Sequence, residues 1–88
     1  MKRSRIELLR DMLVAVHDKG GVIKPTHLLY KANLSHDAMK AYVKELQEQG
    51  LLRERLEDGK TLYVLTDKGY KFLEEYKRFT SFAEAFGI

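Results

Sequence analysis

LSHDAMKAYVKELQEQG, residues 34–50, has the pattern of one capped amphipathic helix. Ser35 stands where its hydroxyl can accept from an amide one turn on, satisfying a donor that a helix start leaves open. Met39, Tyr42, Val43 and Leu46 recur at helical spacing and define a buried face. His36, Asp37, Lys40, Ala41 and Lys44 share the opposite arc. Gly50 falls where a left-handed residue ends a helix at little cost. A helix over about 35–49 is therefore predicted, greasy toward a core and basic toward a polyanion. A plain solvated face has a similar pattern, so the flanking segments must decide.

Upstream, Lys24-Pro25-Thr26 opens a shorter helix that runs to about Ala32, since proline is pre-organised for a first helical turn. Asn33-Leu34 then makes a tight connection, with Leu34 as a plug between the two helices. Two short helices joined in this way form a helix-turn-helix unit. An earlier helix from about Ser4 to Asp18 has Ile6, Leu9, Leu13 and Val16 as its expected inward stripe, widened by Leu8 and Met12. Ser4 and Glu7 have capping-box spacing. Gly20-Gly21 ends this helix, and Val22-Ile23 is long enough for one or two ladder bonds at a sheet edge.

Downstream, residues 51–57 and 60–65 are β-prone runs joined by Asp58-Gly59, a strong hairpin signal because both turn positions need positive φ. A two-residue loop pairs Leu52 with Leu65, Arg53 with Val64, Glu54 with Tyr63 and Arg55 with Leu62. A hairpin after the second helix of a helix-turn-helix is a wing, to which Val22-Ile23 can add a third strand. Thr66 caps a last helix running to about Phe86. In it Phe72, Tyr76, Phe79, Ala83 and Phe86 are spaced 4, 3, 4 and 3, the seam of a coiled coil. About twenty helical residues span about 30 Å, more than a domain of this size needs for closure. The aromatic end, including Phe82, marks a dimer interface; the competing reading folds the helix back along the first one to complete a monomeric core.

Composition narrows the class. A chain of 88 residues makes one domain with a modest core. Its 44% hydrophobic and 33% charged content are those of a globular protein. With no cysteine there is neither a disulfide nor a thiolate metal site. No apolar run approaches the roughly 20 residues of a membrane span, and no signal-like region follows the basic start, so a cytoplasmic, nucleoid-associated protein is expected. The net charge of +3 is unevenly spread. Lys2, Arg3, Arg5 and Arg10 open the chain, and Lys19, Lys24, Lys31, Lys40 and Lys44 face only Asp37, whereas residues 45–60 turn acidic. Positive charge gathered around the exposed helix is the footprint of a nucleic-acid binder.

The phrases YKANLSHDAMKAYVKELQEQGLL and YVLTDKGYKFLEEY resemble the small archaeal and archaeal-virus winged helix-turn-helix proteins, regulators and chromosomal proteins that dimerise through a C-terminal helix. The most specific pieces are Leu34-Ser35, Gly50-Leu51-Leu52, Leu65-Thr66 and Lys68-Gly69. The resemblance implies an α+β fold with a three-helix core, a β-hairpin wing and an added C-terminal dimerisation helix. It implies duplex DNA as partner, the helix from Ser35 in the major groove and the wing on the flanking backbone. Residues 1–66 would form the DNA-binding domain and 67–88 the dimerisation helix.

On that basis Ser35, His36, Asp37, Lys40 and Ala41 are expected to face base edges. Lys44, Lys31, Lys2, Arg3 and Arg5 would meet phosphates, with Arg53, Arg55 and Lys60 reaching them from the wing. Asp37 fits the positive end of the helix dipole. The dimer interface is expected at Phe72, Tyr76, Phe79, Phe82, Ala83 and Phe86. Enzyme chemistry is not expected: His17, His27 and His36 lie on separate elements without ligand spacing, and Gly20-Gly21 lacks a phosphate-loop context. No metal, cofactor or small-molecule ligand is predicted. Two alternatives remain open: a winged-helix protein-interaction module that does not touch DNA, and a sequence-nonspecific architectural chromatin protein.

Overall fold

The computed structural model describes residues 3–88. The chain runs α1 (Arg5–Asp18), β1 (Val22–Ile23), α2 (Pro25–Lys31), α3 (His36–Glu48), β2 (Leu52–Glu57), β3 (Lys60–Leu65) and α4 (Asp67–Ala85). This is the α+β winged helix-turn-helix order expected from the sequence.

Local chemistry sets the boundaries. Ser4 and Glu7 form both arms of a capping box, with Ser4 Oγ accepting from the Glu7 amide at 3.2 Å and Glu7 Oε1 from the Ser4 amide at 3.2 Å. Pro25 opens α2 in the first turn. The turn after α2 is a Schellman closure on an asparagine: Asn33 takes φ 54°, its amide donates to Tyr30, and the Leu34 amide donates to Leu29. Leu34, half-buried, packs against the core beside this turn, as the expected plug. Gly50 closes α3 in the same manner at φ 75°.

The sheet order is β1-β3-β2, antiparallel throughout. The hairpin register is Leu52 with Leu65, Arg53 with Val64, Glu54 with Tyr63 and Arg55 with Leu62, as the two-residue loop requires. Asp58 and Gly59 both have positive φ at the turn. Val22 and Ile23 pair with Val64 and Tyr63, so the short apolar pair is a true third strand.

The core is built by Met12, Leu13 and Val16 of α1, Leu28 of α2, Leu46 of α3 and Leu52 of β2, all fully buried. Each such burial contributes roughly 1.5–3 kcal/mol relative to exposure. The α1 stripe differs from expectation in losing Ile6 and gaining Ala15. Ile6 is 53% exposed, and the buried face is Leu8, Met12, Leu13, Ala15 and Val16. Ile6 lies in the first turn, beyond the part of α1 that the core covers, while Leu9 is half-buried at the margin.

Helix α4 starts on the core and leaves it. Phe72 and Leu73 pack against the buried cluster, and α4 runs along α1. The chain approaches itself closely at Gly69: a Cβ there would run into the Leu51 carbonyl and the Leu65 side chain. Only glycine allows α4 to begin that near the base of the hairpin.

Candidate nucleic-acid interface

Helix α3 buries Met39, Val43 and Leu46 and holds Tyr42 half-buried, leaving His36, Asp37, Lys40, Ala41 and Lys44 exposed together on the other arc. Ser35 Oγ accepts from the Ala38 amide at 3.2 Å and starts the helix. Asp37 lies in the first turn, where a carboxylate suits the positive end of the dipole. Among the described residues no ion pair engages Lys31, Lys40, Lys44, Arg53 or Lys60. Ala41 adds a small side chain beside Lys40, which leaves room for close approach by a bulky ligand.

The N-terminal arginines are differently placed. Arg3 reaches the end of α2, its Nη2 donating to the carbonyl of Ala32 at 2.8 Å and of Asn33 at 3.4 Å, while Nη1 meets Asp11 Oδ2 at 3.1 Å. Arg5 pairs with Glu45 on α3. Both therefore brace the helix-turn-helix against α1 in the free protein. Lys2 lies outside the described residues. This bracing was not visible beforehand, because the partners on the helix-turn-helix, Ala32, Asn33 and Glu45, lie tens of residues away in sequence.

On the wing, Arg53 is exposed and Arg55 holds Glu57 at 3.0 Å. Lys60 sits past the turn from Asp58 and joins Lys24, Glu57 and Asp58 around a mixed-charge cleft between the wing tip and the start of α2. The wing thus offers cations interleaved with carboxylates, in contrast to α3. Burial, and then the Glu54 carboxylate across the strand, push the Tyr63 phenol above its ordinary pKa. Tyr30, 73% exposed on α2 next to Lys31, is a further exposed aromatic close to the turn. Only its place beside a lysine, in a helix that buries Leu28, would have flagged it.

The expected dimer residues divide into two groups. Phe72, Tyr76 and Ala83 are half-buried within the protomer. Arg10 lies over the Tyr76 ring at 5.2 Å, and Tyr70 meets His17 edge-on at 5.8 Å. Phe79, Phe82 and Phe86 are 67%, 61% and 68% exposed, followed by Ile88 at 86%. Phe82 and Phe86 stack on each other at 4.9 Å between centroids and on nothing else within the described aromatic pairs. No helix is long and apolar enough to cross a membrane, and no cluster of three or more metal-ligating side chains occurs among the described residues.

Residues 2–84 match the protein family described as winged helix-turn-helix. No functionally curated protein matches the chain. Among solved structures, Sso10a-2, a DNA-binding protein from Sulfolobus solfataricus, is similar with a TM-score of 0.80 and 21% identity, over 96% of this chain and 85% of that one. F93 from STIV, a winged-helix DNA-binding protein, gives a TM-score of 0.75 at 22% identity, over 90% and 91% of the two chains. BpsR from Bordetella bronchiseptica, whose DNA binding is regulated by 6-hydroxynicotinic acid, gives 0.76 at 20% identity over 84% of this chain. The present chain spans 54% of BpsR, about half its length. At these identities the likeness is one of fold.

Proposed function

The chain belongs to the winged helix-turn-helix family, and from that premise we propose that it binds double-stranded DNA as a homodimer and regulates transcription. As a member of that family it is a binding protein and not an enzyme. The observation that carries the reading is the α3 face, where Lys40 and Lys44 stand exposed and unpaired among the described residues, around the small Ala41. Such a face enters a major groove, Ser35, His36, Asp37, Lys40 and Ala41 toward base edges and Lys44 and Lys31 toward phosphates. Arg53, Arg55 and Lys60 follow the flanking backbone from the wing. Arg3 and Arg5 exchange their protein partners for phosphate or stay as braces, and Lys2 precedes them in sequence as a further cation. That two fold relatives are DNA-binding proteins supports the same reading. No arginine stands in α3, so the commonest guanine reader is missing and specificity rests on weaker contacts.

The dimer rests on the end of α4. Aromatic side chains carry roughly 150–250 Å² each. Three that are about two-thirds exposed, with Ile88, therefore present roughly 500 Å² of apolar surface per protomer. Paired across a two-fold axis this approaches about 1,000 Å², the lower bound for a specific interface. Residues 1–66 then carry DNA contact and 67–88 dimerisation, in a protein that resides with the nucleoid.

Titration of the purified protein onto unrelated and genomic duplexes at two salt concentrations tests the reading. Salt-sensitive binding at micromolar concentration or below is the expected result. Preference among genomic fragments is expected of a regulator, and uniform binding of an architectural protein. Absence of binding at low salt would overturn the DNA reading in favour of a protein-interaction module, for which the exposed aromatic end of α4 is the contact surface.

A further inference from the structure

We infer that Thr66 and Lys68 are positioning residues that lock the recognition helix α3 to α4, so that both helices turn as one body and the dimer axis sets the separation of the two α3 helices. The inference rests on the dimeric DNA-binding role proposed above.

The end of α3 is short of donors. Its last turn carries no basic residue of its own, and helix ends leave carbonyls without intrahelical partners. The amides of Gln49, Gly50 and Leu51 satisfy Glu45, Gln47 and Leu46. The carbonyls of Gln49, Gly50 and Leu51 are then taken by the start of α4. Lys68 Nζ donates to Gln49 O at 2.6 Å, Thr66 Oγ1 donates to Gly50 O at 2.6 Å, and the Thr66 amide donates to Leu51 O at 3.3 Å.

Each bond has a second use. Lys68 places a cation at the negative end of the α3 dipole, which α3 itself lacks. The Thr66 hydroxyl, while donating to α3, accepts from the Gly69 amide at 3.0 Å and so caps α4. Gly69 brings the α4 backbone against Leu51 O, where a Cβ would not fit. The wing leaves the core at Leu52 and returns at Leu65, so this joint also closes the base of the hairpin. Leu65-Thr66-Asp67-Lys68-Gly69 is therefore a socket for the end of α3.

The lever arm shows why stiffness matters here. Helix α4 has 19 residues, about 28 Å at 1.5 Å each. A tilt of about 10° at the joint moves its far end by roughly 5 Å, more than the roughly 3.4 Å rise of one base pair. A loose joint would let the two recognition helices miss their successive grooves.

Spin labels read the joint directly, because the chain has no cysteine of its own. Glu48→Cys on α3 and Ser81→Cys on α4, both exposed, carry the pair, with labelled chain diluted into unlabelled chain. A single narrow distance is expected in the parent. Lys68→Met should broaden it while far-UV circular dichroism stays unchanged, and Lys68→Arg should restore it. Affinity for a random-sequence duplex should fall several-fold in Lys68→Met and recover in Lys68→Arg. An unchanged distance distribution in a folded Lys68→Met chain would overturn the inference, as would broadening that Lys68→Arg fails to reverse. Undiluted Glu48→Cys chain tests the dimer separately. Lack of any distance between protomers would overturn the two-fold reading, and with it the α3 separation, while the diluted pair still reads the joint.

Discussion

Helices α3 and α4 are both amphipathic, and each leaves one face uncovered, but the two uncovered faces have opposite chemistry. That of α3 holds Lys40 and Lys44 with Ser35, His36 and Asp37 around the small Ala41, a polar set that water solvates well. The far end of α4 exposes Phe79, Phe82, Phe86 and Ile88, which water disfavours. A charged face is at ease alone and gains counterion release on binding DNA. An aromatic face is at ease only when covered. The first is thus a site for a partner that comes and goes, and the second fits a constitutive contact. The proposed partners, a duplex for α3 and a second copy for α4, accord with this difference in solvation.

The largest effect is expected where the most apolar surface stands exposed. Replacing Phe79, Phe82 and Phe86 together by serine should raise the dimer dissociation constant at least a hundredfold, about 3 kcal/mol. Sedimentation across a concentration series measures it. The variant should remain folded, because Phe72 and Leu73 still pack on the core. An unaltered dimer in this variant would break the contrast between the two helices. Next, Lys40→Ala with Lys44→Ala should weaken duplex binding more than tenfold at moderate salt, about 1.4 kcal/mol, and flatten the log–log salt slope by about 1.8. The dimer should be unaffected. Equal affinity in parent and variant would remove α3 from the interface and leave only its solvated face.

How far these faces were legible in the sequence depends on the range of the interaction. Cap and turn chemistry acts over a few residues, so Ser35, Thr66 and Asp58-Gly59 placed two helix starts and the hairpin register in full. The exposed arc of α3 followed from period alone. Ile6 did not, because the same spacing admits two neighbouring stripes on α1, and the choice depends on how far the core extends over its first turn. The braces from Arg3 to Ala32 and from Arg5 to Glu45 are set by tertiary placement and have no local signature. The aromatic surplus of α4 was legible as a surplus. Its division at Tyr76, half covered by α1 and half left over, was not, since that depends on where α1 begins and how α4 leaves the core.

The N-caps sharpen the comparison on a smaller scale. Ser35 makes one bond, to Ala38, whereas the Thr66 hydroxyl accepts from Gly69 and donates to Gly50. Ser35→Ala should therefore destabilise the fold by about 1 kcal/mol and Thr66→Val by about 2 kcal/mol in urea unfolding. Equal losses would mean that the bond from Thr66 to Gly50 contributes nothing.

Neither of those caps titrates, but the one on α1 does, and it supplies the smallest effect. Bonds from the Ser4 hydroxyl and amide, with the charge of Arg10, hold the Glu7 carboxyl below its ordinary pKa. A carboxylate lowered on folding stabilises the native state above its unfolded pKa, and that contribution is lost as pH falls through the folded value. Parent should therefore unfold at a slightly higher temperature than Glu7→Gln at neutral pH, and the gap should close on acidification. Glu7 is fully exposed, so solvent screening keeps the gap small. The same pH series on Ser35→Ala should show a constant offset from parent, because the α3 cap contains no ionisable arm. A gap for Ser35→Ala that closes in parallel with that of Glu7→Gln would show that acid acts on the whole fold and not through the first turn of α1.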